Sequence, residues 1–191
     1  IYKKSTKKVS ILSITRLEER KGIIPVLKSL SYLHKEKLIK PFIWKICGEG
    51  NQETEIRNYI DNLGLSKHVR LLGRVSNEIK NQLLKKTDLF VMPSYKVKNS
   101  IEGFGISYIE AASYGIPSIS GVEGGISDAV FDLKTGWCVN PLNSNQLLDT
   151  IKEAVNNKNK REKFGLEAKK QFLKKFLGEK VFRKFMNTIN S

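Results

Sequence analysis

The chain has 191 residues, 40% of them hydrophobic, which suffices for one domain with a full core and argues against disorder. No apolar run approaches the ~18 residues that a membrane-spanning helix requires. The net charge of +15 implies attraction to anions, whether nucleotides, phospholipid surfaces or nucleic acid, without choosing among them.

Ile1, Tyr2, Lys3 and Lys4 lead directly into a strand-like segment, with no initiating Met and no signal peptide, so the chain is expected to be a piece of a longer protein cut at a domain boundary. Residues 9–15 form a short apolar run with β-branched members and read as a buried strand. After a charged loop, Ile23, Val26, Leu27, Leu30 and Leu33 recur at helical spacing and predict a helix over about 22–37, with Pro25 tolerated in its first turn. Residues 41–47 make a second strand ending in Gly48-Glu49-Gly50. A helix from Asn51 follows, carrying Ile56, Tyr59, Ile60 and Leu63, with Gly64 at its C-cap. Residues 69–72 form a third strand, and a helix N-capped at Ser76 runs to Lys86. Residues 89–92 are a fourth strand, stopped by Pro93-Ser94.

The stretch 95–100 is polar and expected to be mobile. A helix over about 104–114 ends at Gly115, and 117–120 is a fifth strand. Gly124-Gly125 precedes a short helix over 127–131, and 136–139 is a sixth strand. The remainder from Ser144 is helical, with breaks near 156–159 and Gly178. Strand and helix alternate six times, the pattern of a Rossmann-like, doubly wound parallel six-stranded sheet with helices on both faces. The chain is thus one domain, with its core over about 9–156 and a helical segment over about 158–190. Ligands in such folds sit beyond the C-terminal ends of the strands, where loops 15–22, 48–51, 73–76, 94–105 and 121–125 gather every unusual residue cluster of the chain.

Two carboxylates, Glu102 and Glu110, stand eight residues apart around the turn Gly103-Phe104-Gly105. Backbone N–H groups and a positive helix end suit an anion such as a diphosphate, and glycine admits close approach. Carboxylates beside a phosphate would repel it, so their task is to hydrogen-bond hydroxyls of a ribose or a sugar. The segment reads as a site for a sugar nucleotide.

With these loops in view, the chain resembles the C-terminal, donor-binding domain of retaining GT-B glycosyltransferases, the "glycosyl transferases group 1" family, from Ser10 to about Asn156. Thr15-Arg16-Leu17 with Lys21-Gly22 looks like that family's Gly-Arg-Leu…Lys-Gly loop. Gly48-Glu49-Gly50, the short strand from Val69 to Gly73, Glu102-Gly103-Phe104-Gly105 with Glu110-Ala111, Gly115-Ile116-Pro117 and Gly124-Gly125 follow in the family's order. Thr15 stands where the family has glycine, and Asp128 where it has glutamate.

The resemblance implies that Arg16 and Lys21 grip the donor's diphosphate and stabilise charge building on the leaving phosphate without a metal. No Asp-x-Asp pair occurs in the chain, in keeping with no metal and no cofactor beyond the nucleotide-diphosphate sugar itself. Gly103, Phe104 and Gly105 would offer amides to the phosphates or sugar. Glu102 would contact the transferred sugar, as nucleophile or as positioning group, and Glu110 would bind the ribose. Gly48 and Gly50 would let the backbone approach the nucleotide, and Gly124 and Gly125 would flank the sugar or phosphate. Arg74 sits where the base edge would be met, through the backbone of Arg74 and Val75 rather than its side chain.

The activity implied is hexosyl transfer, in polysaccharide or glycolipid synthesis. The N-terminal acceptor domain of the full-length protein would be a partner, and this domain alone would bind donor with little or no activity. The alternative is a non-catalytic nucleotide-binding or assembly module of the same fold. Twelve Lys/Arg against four Glu between Lys152 and Lys184 suggest a solvated helical face or contact with an anionic membrane surface. The location would be cytoplasmic, and peripheral on the membrane in the latter case. Phe172, Phe176, Phe182, Phe185 and Met186 line one side of the last helical stretch, as packing or as a seat for the N-terminal domain. No motif marks specific nucleic-acid recognition. Cys47 and Cys138 form no disulfide framework, Cys47 reads as a small buried hydrophobe, and His34 and His68 are isolated in the sequence.

Overall fold

Apolar runs bounded by glycine and proline alternate with amphipathic stretches, and each becomes the element its period dictates. In the computed structural model, which describes residues 8–98, 100–101, 103, 105–179, 183 and 186–188, the strands are β1 (Val9–Ile14), β2 (Phe42–Cys47), β3 (Val69–Leu71), β4 (Leu89–Met92), β5 (Ser118–Ser120) and β6 (Gly136–Cys138). The helices are α1 (Ile23–Lys35), α2 (Glu53–Asn62), α3 (Asn77–Lys85), α4 (Ile106–Ser113), α5 (Ser144–Asn156) and α6 (Lys158–Phe172).

All six strands are parallel, in the order β3-β2-β1-β4-β5-β6. Winding runs outward from β1 to β3 and then restarts with β4 on the other flank of β1. The loops after β1 and β4 therefore diverge and leave a crevice at the C-terminal edge.

Each face of the sheet has its own core, which is why the strands are apolar almost throughout. Ile11, Trp44, Ile46, Leu89, Val91 and Ile119 pack with Leu27 and Leu30 of α1, Ile56 of α2, Ile151 of α5 and Phe164 of α6. Leu12, Phe90 and Met92 pack on the other face with Leu84 of α3 and Tyr108 and Ala111 of α4. Cys47 belongs to this second core and is 1% exposed, as expected of a buried hydrophobe; burial pushes its thiol up to about 11. A buried polar relay ties the central strands: the Trp44 indole donates to Ser13 Oγ at 2.9 Å, and Ser13 donates to the Val91 carbonyl.

Two boundaries differ from the sequence expectation. The helix expected from residue 104 begins at Ile106, because Gly105 takes the left-handed conformation (φ 69°) directly over the Tyr108 ring. The short helix expected over 127–131 is instead a 3-10 helix over Gly124–Asp128, pulled earlier as Ile126 enters the second core. The helical segment after 158 packs against the sheet. Phe164 joins the first core, and a Cβ on Gly165 would lie 2.2 Å from the Gly115 carbonyl oxygen. Asn157 separates α5 from α6, matching the expected break, and a π-helical turn over Leu173–Leu177 precedes Gly178 (φ 76°). Phe182 and Phe185 of the expected apolar line lie outside the described residues.

The basic C-terminal run is not one solvated face. Arg161 is 8% exposed, and its guanidinium donates to the Ala154 and Val155 carbonyls at 2.7 Å each, satisfying the end of α5. Lys160 and the Trp137 indole both hold the Glu153 carboxylate, each at 2.6 Å.

Candidate functional site

The loops at the C-terminal edge are stitched together by their backbones. Thr15 N–H donates to Cys47 O and Leu17 N–H to Glu49 O, each at 2.9 Å, while Gln52 N–H donates to Leu17 O at 3.0 Å. Gly48 N–H donates to Gly73 O at 2.8 Å, adding the loop after β3. This interlocking explains the glycines at 48 and 50. A Cβ on Gly48 (φ 129°) would sit 1.7 Å from Thr15 O, and one on Gly50 would sit 2.3 Å from Leu17 O. Their close approach is to the neighbouring loop.

On the other side of the crevice, Tyr95 N–H donates to Arg20 O at 2.9 Å and Lys96 N–H to Glu123 Oε2 at 2.5 Å. Val97 and Ser100 exchange backbone hydrogen bonds of 3.0 and 2.9 Å. The polar stretch expected to be mobile is thus fastened to the loops after β1 and β5.

Helix α4 opens onto this crevice. Ser107 Oγ donates to the Ile14 carbonyl at 2.9 Å, and the Tyr108 hydroxyl donates to the Met92 carbonyl, so its first turn is anchored to the ends of both β1 and β4. The first amides of a helix have no intrahelical acceptors and carry positive potential, which suits an anion. Gly103 is exposed, and a Cβ there would meet nothing within 4 Å. Glu102 and Phe104 lie outside the described residues.

The two candidate cations differ in setting. Arg16 is 74% exposed, its Nη1 3.1 Å from Glu18 Oε1, while Arg20 Nε takes the other oxygen of Glu18 at 3.0 Å. Lys21 closes the 3-10 turn Glu19–Lys21 and is only 6% exposed, so it is an interior residue rather than a free loop charge. Burial and the Glu19 carboxylate push the Tyr95 phenol up beside this turn. Thr15 Oγ1 is the one buried side-chain polar atom without a hydrogen-bond partner among the described residues.

Glu110 faces α3. Lys80 Nζ lies 2.5 Å from Glu110 Oε1, with the two side chains 21% and 32% exposed. Beside them the Tyr114 hydroxyl donates to Asn81 Oδ1 at 3.2 Å. Arg74 is exposed and follows Gly73 (φ 64°), whose carbonyl holds the loop after β2. Gly124 (φ 80°) and Gly125 start their 3-10 turn next to Glu123, the residue tied to Lys96.

Arg16, Gly48, Gly50, Arg74, Gly103, Gly105, Gly124 and Gly125 thus occupy loops or helix starts at one edge of the sheet, with Lys21 beneath and Glu110 just over one turn into α4. Sequence reasoning missed Glu18, Tyr95, Ser107 and Lys80, whose roles depend mostly on partners far away in the chain. His34 and His68 are not isolated: their rings lie 4.3 Å apart over Phe42, the first residue of β2 and so at the opposite edge. Among the described residues no group of three or more His, Cys, Asp or Glu is placed to hold a metal ion, and no helix is long and apolar enough to cross a membrane.

The solved structures that resemble this six-stranded, all-parallel Rossmann-like sheet are GT-B glycosyltransferases. The chain belongs to the glycosyl transferases group 1 family, whose model matches residues 1–171. It is 34% identical over 139 residues to the uncharacterized glycosyltransferase MJ1178 of Methanocaldococcus jannaschii, covering 73% of this chain and 38% of that protein. It is 31% identical over 147 residues to the poly(ribitol-phosphate) alpha-N-acetylglucosaminyltransferase of Staphylococcus aureus, covering 76% of this chain and 28% of that one. Among solved structures, a mutant of S. aureus TarM in complex with fondaparinux, alpha-GlcNAc-glycerol and UDP superposes with a TM-score of 0.77 at 26% identity, covering 97% of this chain and 36% of that one. The chain spans about a third of the length of the first curated relatives it matches.

Proposed function

We propose that this chain is the donor-binding half of a metal-independent, retaining glycosyltransferase that moves a hexosyl group from a nucleotide-diphosphate sugar to an acceptor. The observation that carries this reading is the anchoring of α4's N-terminal end to β1 and β4, opposite the loop that presents Arg16. In that arrangement the diphosphate lies between an exposed guanidinium and the positive end of α4. As the bond from the anomeric carbon to the phosphate oxygen breaks, negative charge grows on that oxygen, and these fixed positive groups stabilise it. The acceptor hydroxyl forms the new bond to the anomeric carbon, and its proton passes to the departing phosphate. Gly103 adds support, since the described fold demands no glycine there and a ligand lying against its backbone would.

Glu110 then takes the ribose hydroxyls, the backbone near Arg74 meets the base, and an N-terminal domain supplies the acceptor. TarM is described in complex with UDP and alpha-GlcNAc-glycerol, and the staphylococcal relative acts on poly(ribitol-phosphate), which favours a donor of this type and a polymer or glycolipid acceptor. We place the protein in the cytoplasm, peripheral on an anionic membrane surface through its basic C-terminal region.

The test is a thermal-shift and calorimetric titration of the chain with UDP, GDP, ADP and their common sugars in the presence of a chelator. One nucleotide family is expected to raise Tm and bind without metal, with little or no sugar transfer by this chain alone. Absence of binding to every member would overturn the reading and favour an assembly module of the same fold.

A further inference from the structure

We infer that Lys80 is a positioning residue that sets the Glu110 carboxylate for a vicinal diol. This inference rests on the reading of Glu110 as the ribose ligand. Lys80 is in the first turn of α3 and Glu110 in the second turn of α4, so both lie toward the edge where the crevice opens. Its ammonium sits 2.5 Å from Oε1, with both side chains mostly sheltered from water.

Two physical consequences follow. An ionised carboxylate has about four acceptor positions on its two oxygens. Occupation of one position on Oε1 fixes the plane of the group and leaves Oε2 and the second position of Oε1 for two adjacent hydroxyls. A bare carboxylate a few ångströms from a diphosphate would also repel it, and the Lys80 charge cancels that repulsion where screening by water is reduced. The ion pair therefore has no net charge, and Lys80 orients the Glu110 carboxylate as an acceptor that prefers a nucleotide with both ribose hydroxyls.

The experiment compares affinities of the chain for UDP, GDP and ADP with those for their 2′,3′-dideoxy forms and for inorganic pyrophosphate. The parent is expected to bind the ribonucleotide about tenfold more tightly than its dideoxy form. Lys80→Met and Glu110→Gln should each erase most of that ratio; Lys80→Met should also weaken dideoxynucleotide and pyrophosphate binding to a similar extent, because the carboxylate left alone repels both, and Glu110→Gln should not. Lys80→Arg, which keeps the charge, should restore part of the ratio. Tyr114→Phe loosens the same pair of helices through the neighbouring Asn81 contact but leaves the carboxylate held, so it should lower Tm without changing the ratio. A Lys80→Met variant with the parental ratio, alongside a Glu110→Gln variant that has lost it, overturns the role of Lys80 and leaves the ribose site standing. A Glu110→Gln variant with the parental ratio overturns the ribose assignment, and this inference with it.

Discussion

Ser107 Oγ donates a 2.9 Å hydrogen bond to the carbonyl of Ile14, so the first turn of α4 is fixed to the last residue of β1. The two residues lie on either side of the point where the sheet reverses its winding, and the bond spans the crevice there. Ser107→Ala is expected to cost roughly 1 kcal/mol, a fall in Tm of about 3 °C, and to weaken nucleoside diphosphate binding several-fold as the helix end loosens. Ser113→Ala is the matched control, because Ser113 Oγ donates to a carbonyl of its own helix, Glu110 O, at 2.7 Å. Equal loss of nucleotide affinity in both variants would remove the anchoring role from Ser107.

Arg161 fastens the kink between α5 and α6. It is buried, and its two 2.7 Å bonds go to the Ala154 and Val155 carbonyls in the last turn of α5. Arg161→Met keeps the apolar stem and removes the donors. The expected loss is about 3 kcal/mol, or roughly 10 °C in Tm, far more than for Lys163→Met on the exposed side of the same helix. Chemical or thermal denaturation of the two variants decides this.

The His34–His68 contact gives stability a dependence on pH. Burial, and secondarily the charge of His68, lower the His34 value from its ordinary 6.5. The folded chain therefore favours neutral His34, while the unfolded chain takes up the proton near 6.5. Stability from this source is complete above 6.5 and is lost as pH falls from there through the lowered folded value. Between pH 7.5 and pH 5 the Tm of the parent should fall more steeply than that of His34→Gln. Parallel profiles would show that the pair contributes nothing.

The alternation of strands and helices was legible because the helical crossovers bury both faces of the sheet, making runs such as Leu89–Met92 apolar without interruption. The Ser76 cap was legible for a local reason too: its hydroxyl accepts from Ile79 N–H only three residues on, at 3.3 Å. Where a partner comes from elsewhere, the sequence is silent. The start of α4 depends on the Tyr108 ring beneath Gly105, and the glycines at 48 and 50 answer to a loop more than thirty residues earlier. Lys80 and Glu110 are 30 positions apart on two helices whose individual periodicities say nothing of each other. The residue types of the site could thus be recognised as a family pattern, whereas the unequal burial of its two candidate cations could not.

That inequality separates two effects that a single substitution would confound. Arg16 is 74% exposed and is paired with Glu18, and an ion pair so open to water contributes little to stability. Arg16→Ala should leave Tm nearly unchanged while weakening nucleoside diphosphate binding by about tenfold or more, with nucleoside binding unaffected. Lys21 is 6% exposed within the turn that leads into α1, so its ammonium cannot be removed without disturbing that turn. Lys21→Ala should lower Tm by several degrees as well as weaken the diphosphate, because the loss of a buried, satisfied polar group costs about 1–3 kcal/mol. Calorimetry with a nucleoside, its monophosphate and its diphosphate, beside a melting curve for each variant, reads both quantities. If Arg16→Ala lost nucleoside and diphosphate affinity in equal measure, the guanidinium would not be the diphosphate's partner, and the crevice at β1 and β4 would need another anion anchor.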